Sequence, residues 1–285
     1  TKTCLIIFKK SKKNKGDVYF AEAKWCGHDS RGNIIEKNDL PTILKDYQNF
    51  IKKKKTEFGY SVPQNNLKSF ILSPRYNSKF KAQSKKFTNI KKEFELISIK
   101  ELIEDKKIEI RTGDEVGKKY YGTGDIPFIR TSDITDGKIK LETKHKISED
   151  KYFELKKKQD LKENDILFVK DGTYLVGNSG LIREHNLKSV YQSHIYKIRV
   201  LDVNFFSSYY FIYSLSSEFV NSQIKQKMFS MDIIDSIGSR INEVSIPIIK
   251  NKKKMNKISN LVKKKYILAD LEFKLIEQTS KISNL

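Results

Sequence analysis

The chain is 285 residues long and carries 56 Lys+Arg against 35 Asp+Glu, a formal charge of +21, with 38% hydrophobic and 32% charged residues. That composition excludes a transmembrane protein, a disulfide scaffold and an acidic disordered chain. With 17 Phe and 14 Tyr it can bury a sizeable core in one to three domains.

Cys4 and Cys26 are the only cysteines and lack metal-ligand spacing, so two reduced, buried thiols and a cytoplasmic location are expected. The apolar run in TKTCLIIFKK is too short for a signal-peptide core and no run approaches membrane-spanning length, so no membrane partner is expected. The first residue is Thr1 rather than Met, so a segment cut from a longer chain, or a processed chain, is expected. The positive charge is local: +10 over 51–100 and +6 over 251–285, against −2 over 101–150. A polyanion uses such clustering best, because each phosphate neutralised by Lys or Arg releases condensed counterions. The alternatives are a lysine-rich proteome decorating solvated faces and an anionic membrane surface.

In chain order, 3–8 (TCLIIF) and 18–23 (VYFAEA) read as two strands of a hairpin joined by SKKNKGD. GHDSRGNIIEKNDLP reads as a polar loop. A helix follows, capped by Asn38 or Asp39, with Leu40, Ile43, Leu44, Tyr47, Phe50 and Ile51 on one face. Residues 52–93 are basic and irregular, with Pro63 and Pro74, and read as a linker or extended arm. FELISIKELI is a strand running into a short helix. Short β-like runs then recur between turn residues: IPFIRT, KIKLE, DILFVKD, SGLIRE and SVYQSHIYKIRV. Residues 205–229 have helical spacing, and 251–285 form a charged helix in which Leu261, Leu268, Leu275 and Ile282 recur every seven residues, a coiled-coil-like seam.

Three local patterns imitate functional motifs. YYGTGD (Tyr120 to Asp125) contains a Gly-x-Gly, but a strand rather than a helix is expected after it, so it reads as a turn. SPRY (Ser73 to Tyr76) differs by one residue from the S/N/D-P-P-Y/F motif of amino-methyltransferases, and Arg75 breaks its paired-proline turn. Asp17 with Glu22 and Lys24 resembles the two carboxylates and lysine with which many nucleases support Mg²⁺-assisted phosphodiester cleavage; on a strand Glu22 and Lys24 share a face.

The blocks GDIPFIRTSDITDGKI, ISEDKY, LKENDILFVKDGT, VGNSGLI and SHIYKIRV, over about 94–248, resemble the target recognition domain of type I restriction-modification specificity subunits and of methyltransferases fused to one. The preceding TKTCLIIFKK…VYFAEAKWCGHDSRGN…NDLP is similar to the last part of the catalytic domain of adenine-specific DNA methyltransferases of these systems. The resemblance implies sequence-specific DNA recognition that directs adenine methylation. S-adenosylmethionine would be the cofactor of the complete enzyme, and a catalytic domain would act in cis or in trans. These residues contain no F-x-G-x-G cofactor loop and no intact N/D-P-P-Y/F motif, so no catalytic, cofactor or metal residue is assigned and the 285 residues alone are not expected to methylate DNA.

The expected fold is α+β: a small α/β remnant of a methyltransferase domain (1–51), a basic linker (52–93), a mixed, mostly-β target recognition domain (94–250) and a long C-terminal helix (251–285). Phosphates need cations and backbone donors, and base edges need amides, hydroxyls or Arg. Within the matched blocks this selects Arg130, Thr131 and Ser132 after the apolar IPFI; Lys170, Asp171 and Thr173 after ILFV; Gln192, Ser193 and His194 interrupting a strand; and Arg240 after Gly238. Each has a plainer reading as a turn or a structural hydrogen bonder, His194 above all. The expected partners are double-stranded DNA, the catalytic domain, and a second helix, which would allow self-association. The alternatives are a DNA nuclease using Asp17, Glu22 and Lys24, and a non-catalytic specificity subunit.

Overall fold

A computed structural model describes residues 5–7, 16–67, 71–78, 90–140, 142–172, 175–231 and 234–283. It divides into two compact units, 2–84 and 85–285. Its class is α+β: short, mostly antiparallel strands, several helices and one long helix at the C-terminal end.

In the first unit, β1 (Asp17–Phe20) is followed by the hairpin β2 (Cys26–His28) and β3 (Ile34–Asn38), the helix α1 (Leu40–Ile51), β4 (Tyr60–Pro63) and a short helix α2 (Pro74–Asn77). β1 pairs with β4; of the expected strand 3–8, the described Leu5, Ile6 and Ile7 are exposed and outside any strand. The selecting interaction is Asp46 of α1, buried and accepting hydrogen bonds from the Tyr19 hydroxyl (2.8 Å) and from the Glu57 and Gly59 amides (both 2.7 Å). It draws the segment after α1 back onto β1, so part of the expected 52–93 arm is a strand with Val62 and Phe20 buried. The expected polar loop after Cys26 is a hairpin because Asp29 Oδ1 accepts from the Arg31 and Asn33 amides and Gly32 takes φ +88°, which closes the turn. Cys26 is exposed rather than buried, and Cys4 lies outside the described residues. On α1, Tyr47 and Phe50 pack around Tyr19, whereas Leu40, Leu44 and Ile51 of the expected apolar face stand exposed.

The second unit begins with a turn of helix, α3 (Ile90–Glu93), then β5 (Phe94–Ser98), α4 (Ile99–Glu104), β6 (Ile108–Thr112), β7 (Ile126–Ile129), β8 (Ile134–Thr135), β9 (Lys138–Ile139), β10 (Lys146–Ile147), α5 (Glu149–Gln159), β11 (Ile166–Val169), β12 (Asp171–Gly172), β13 (Ser179–Leu181), β14 (Val190–Tyr191) and β15 (Ile195–Val200). Helices α6 (Ser208–Leu215) and α7 (Glu218–Lys227), strands β16 (Phe229–Met231), β17 (Ile234–Ser236) and β18 (Ser245–Ile249), and the helix α8 (Lys252–Ser283) complete it. The expected 205–229 helix is two helices because Ser217 begins a new one, its hydroxyl accepting from the Val220 amide.

The central sheet has the antiparallel order β13-β11-β15-β6. All four residues of β11 are fully buried: Ile166 and Phe168 enter a core with α4, α6, α7, β18 and α8, and Leu167 and Val169 enter a second with Ile129, Ile134, Tyr191 and Ile195. A strand covered on both faces reads as an unbroken apolar run, which ILFV is. A second sheet, β10-β7-β14, pairs β7 with β14 in parallel and builds a third cluster with α5.

Helix α8 packs on α6 through Met255, Ile258, Val262 and Tyr266. Leu261, Leu268 and Leu275 of the expected seam point away, 59%, 65% and 62% exposed, while the Ile282 side chain lies outside the described set. Arg183 latches the helix to the body. Its guanidinium donates to Asp270 (Nη2 to Oδ2, 2.6 Å; Nε to Oδ2, 3.0 Å), Asn164 (2.8 Å) and the Tyr209 hydroxyl (3.2 Å). The Tyr266 hydroxyl donates to the Gly137 carbonyl at 2.6 Å. Charge-assisted, partly buried bonds of this kind are the strong ones. Arg183→Ala is expected to cost about 2 kcal/mol in denaturant unfolding and to speed amide exchange along Ile258–Phe273 more than in the central sheet.

Candidate nucleic-acid interface

The polar residues singled out in the sequence fall where buried strands end. Arg130 follows β7, Lys170 and Asp171 follow β11, and Gln192, Ser193 and His194 join β14 to β15. Backbone hydrogen bonds bring these segments together: Gln192 N–H to the Ile129 carbonyl (2.9 Å) and Lys170 N–H to the His194 carbonyl (3.0 Å). A fourth segment, Gly113–Glu115 after β6, joins them through Asp114 N–H to the Tyr191 carbonyl (3.2 Å). Only glycine fits at 113, since a Cβ there would come within 2.4 Å of the Gln192 carbonyl oxygen and 2.5 Å of that of Tyr191.

Beneath this edge lies a buried polar support. Lys197, fully buried on β15, donates its amine to the carbonyls of Gln159 (2.7 Å) and Asp160 (3.0 Å) at the end of α5. A cation on the last carbonyls of a helix satisfies orphan acceptors and meets the negative end of the dipole. Burial and then the neighbouring Arg199 lower the Lys197 pKa. Arg199 binds Asp165 through Nε (2.7 Å) and Asp160 through Nη1 (2.8 Å), and the second of these bonds lowers the Asp160 pKa. Gln159, fixed by this cap, bridges Asp114 Oδ2 (3.1 Å) and both backbone groups of Tyr191 (2.9 Å each).

At the surface, Asp171 is the hub. Its carboxylate accepts from Lys170 Nζ, from the Ser236 hydroxyl and from His194 Nδ1 (3.2 Å). Burial alone would raise its pKa, but the bonds from Lys170, Ser236 and His194 together outweigh burial and hold it below the ordinary carboxylate range. His194 Nε2 lies 3.8 Å from Glu115, which also accepts from the Ser193 hydroxyl. Arg130 donates Nη1–H to His145 Nε2 at 2.9 Å and its backbone N–H to Asp133 Oδ2 at 2.9 Å, the bond that fixes the 131–133 turn carrying Thr131 and the exposed Ser132.

The structure does not gather every selected residue equally. Gln192 is only 7% exposed. Arg240 meets the cluster through backbone: its guanidinium donates to the Lys227 and Ser236 carbonyls (both 2.8 Å), a structural use. Thr173 lies outside the described residues. Asp114, Glu115, His145 and Ser236 are cluster members that the sequence reading did not select. The first two had a legible signal, since TGDE after the β-like IEIR repeats the pattern of polar residues closing an apolar run.

In the first unit, Glu22 receives the Arg75 guanidinium (Nε 2.8 Å), Asp17 receives the Ser61 hydroxyl (3.3 Å), and Lys24 Nζ lies 5.6 Å from the Trp25 ring centre. Among the described residues no group of three His, Cys, Asp or Glu side chains is placed to hold a metal ion. Arg75 within SPRYN is thus tied to Glu22, and α2 is a single turn of helix with no paired-proline turn to grip a base. No helix among the described residues is long and apolar enough to cross a membrane.

No protein-family description and no curated protein matches this chain. Among solved structures it is similar to the S subunit of a type I restriction-modification system from M. genitalium (16% identity, 66% of this chain and 43% of that one, TM-score 0.46). It is also similar to a chain from a study of complex assembly and conformational transition in the type I R-M system (14%, 67% and 43%, TM-score 0.39). A third is the HsdS subunit of Thermoanaerobacter tengcongensis (14%, 64% and 39%, TM-score 0.39). The chain spans about two fifths of the length of each of these structures.

The depressed carboxyls fix a pH dependence. A group whose folded pKa lies below its unfolded value contributes stability that is present above the unfolded value, about 3.9 for Asp, and lost as pH falls through the folded one. Asp171→Asn is therefore expected to be less stable than wild type at pH 7, with the gap in denaturant midpoint closing as the pH falls through and below the unfolded-state value of about 3.9.

Proposed function

We propose that residues 85–285 form a target recognition unit that reads duplex DNA, and that residues 2–84 belong to the catalytic domain of an adenine-specific DNA methyltransferase whose methylation this unit directs. The observation that carries the DNA reading is the convergence of segments 113–115, 130–132, 170–171 and 192–194, distant in sequence, at one edge where apolar strands end. The order of blocks that resemble specificity-subunit recognition domains supports the same reading. Arg130, Thr131, Ser132, Ser193 and His194 are the groups placed for contact, and Lys170 contributes charge beside Asp171.

The methyltransferase part rests on the resemblance of the first 50 residues, and its physical support is the exposed apolar surface of that unit. Leu40, Leu44 and Ile51 of α1 and Ile34 of β3 are 50–86% exposed, while only Phe20 and Val62 are its buried apolar residues among those described. The rest of a catalytic domain would cover such a face. S-adenosylmethionine would be held by that catalytic domain and supply the transferred methyl group.

The exposed leucines of α8 pair with a second helix, and the charge pattern favours a second copy running antiparallel. Seven lysines and no acid occupy 252–266, whereas Asp270, Glu272 and Glu277 follow. Parallel pairing would set lysine on lysine, and antiparallel pairing does not.

The DNA reading is tested with the full chain and duplexes enriched from a randomised pool. Affinity should fall at least about tenfold from low to physiological salt. Arg130→Ala should cost about 1–3 kcal/mol on the enriched duplex and little on scrambled DNA, and Lys170→Ala should weaken both. Salt-insensitive binding, or unchanged affinity in both variants, would remove the assignment. For the helix, Leu268→Asp with Leu275→Asp should convert a concentration-dependent dimer to monomer in sedimentation with the circular dichroism spectrum retained; a wild-type monomer at every concentration would rule out pairing.

A further inference from the structure

We propose that His145 is a positioning residue for DNA recognition: its ring nitrogen holds the Arg130 guanidinium at the end of β7, and a proton on that nitrogen releases it and weakens specific binding. The inference rests on the DNA reading above and adds to it a residue and a pH dependence.

The geometry fixes the protonation state. A guanidinium has donors only, so the 2.9 Å contact from Arg130 Nη1 requires Nε2 of His145 to accept, which a protonated ring cannot do. The ring is held in place. Tyr121 packs on it with ring centres 4.5 Å apart, and the His145 carbonyl accepts from Phe128 N–H (3.0 Å) and the Thr143 hydroxyl (2.8 Å). Burial first, then the charges of Arg130 and Lys144, disfavour the protonated ring, and Asp133 alone opposes them. The neutral form is therefore the resting state, and its pKa lies below the ordinary histidine value of about 6.5. Arg130 Nε is buried without a hydrogen-bond partner, so the side chain is steered from its Nη1 end.

Protonation would set two cations at hydrogen-bond distance with no acceptor between them, and Arg130 would leave its position. The sign separates this from general electrostatics. Added positive charge ordinarily strengthens DNA binding, whereas here acidification weakens binding to the specific duplex. The other imidazole of the cluster, His194, lies between Asp171 and Glu115, with carboxylates where His145 has an arginine, so the Arg130 switch does not run through it.

The experiment uses the full chain, an enriched duplex of about 30 base pairs selected at about pH 8, and a scrambled duplex, at constant ionic strength. From about pH 8 to about pH 5.5 wild type should lose affinity for the enriched duplex, by less than the roughly tenfold that an imidazole of ordinary pKa would give, and should lose none for the scrambled one. His145→Gln keeps an acceptor but cannot be protonated; it should bind within about twofold of wild type at pH 8 and show no acid loss. Arg130→Ala should be weak and pH-independent, and His194→Gln should retain the wild-type acid loss. If His145→Gln does not fold by circular dichroism, His145→Asn takes its place, and NMR titration of the His145 ring in wild type must show its midpoint tracking the affinity loss. Acid loss persisting in the glutamine or asparagine variant, a ring titration elsewhere, or wild-type affinity that is flat or rises in acid overturns the role of His145 alone. No enriched duplex at any pH overturns the DNA reading itself.

Discussion

The strand Ile166–Val169 is buried on both faces, and most of the second unit follows from that constraint. A strand with no solvent-facing side must be covered twice, which is why α4, α6, α7 and α8 gather on one face of the sheet and the β7–β9 region on the other. The same constraint decides where polar chemistry can appear. Once ILFV is enclosed, the next residues with access to solvent are Lys170 and Asp171, and the neighbouring strands release their polar residues at the same edge for the same reason. The cluster is a product of how the core ends.

That edge is neither simply basic nor simply acidic. Several of the chain's cations are used internally: Lys197 closes α5, Arg199 ties Asp160 to Asp165, Arg183 latches α8 and Arg240 binds two carbonyls. The net charge of +21 therefore overstates what a polyanion would meet. What remains at the cluster is a mixture of Arg130, Lys170 and His194 with Asp114, Glu115 and Asp171. Carboxylates repel phosphates and accept from exocyclic amines, so under the proposed DNA reading such a mixture would suit discrimination among bases better than undirected attraction to backbone.

Legibility in the sequence followed the range of the deciding interaction. Buried strands such as β7 and β11, the helix after Asp39 and the long C-terminal helix were visible because their patterns are local. The pairing of β1 with β4 was not, since it depends on Asp46 drawing in amides 11 and 13 residues away. The hairpin at Asp29–Gly32 could have been seen from its Asx turn. The seam of α8 was correctly periodic, but the body chose another face, through Tyr266 and Met255, a choice that only Gly137, Arg183 and α6 make evident. At the cluster, Arg130 was marked by its position after the apolar IPFI, and His194 by the polar break it makes in a strand. His145 was hidden, because its role depends on a partner 15 residues away and on the packing of Tyr121.

Lys197 carries one more consequence. Among many solvated lysines, its amine is sealed beneath the sheet and occupied by two carbonyls. Reagents that acylate amines from solvent find it shielded while the sheet is closed, so modification at this position would register opening of the core itself. The residue that seats the helix under the cluster thereby doubles as an internal reporter of whether that cluster is assembled.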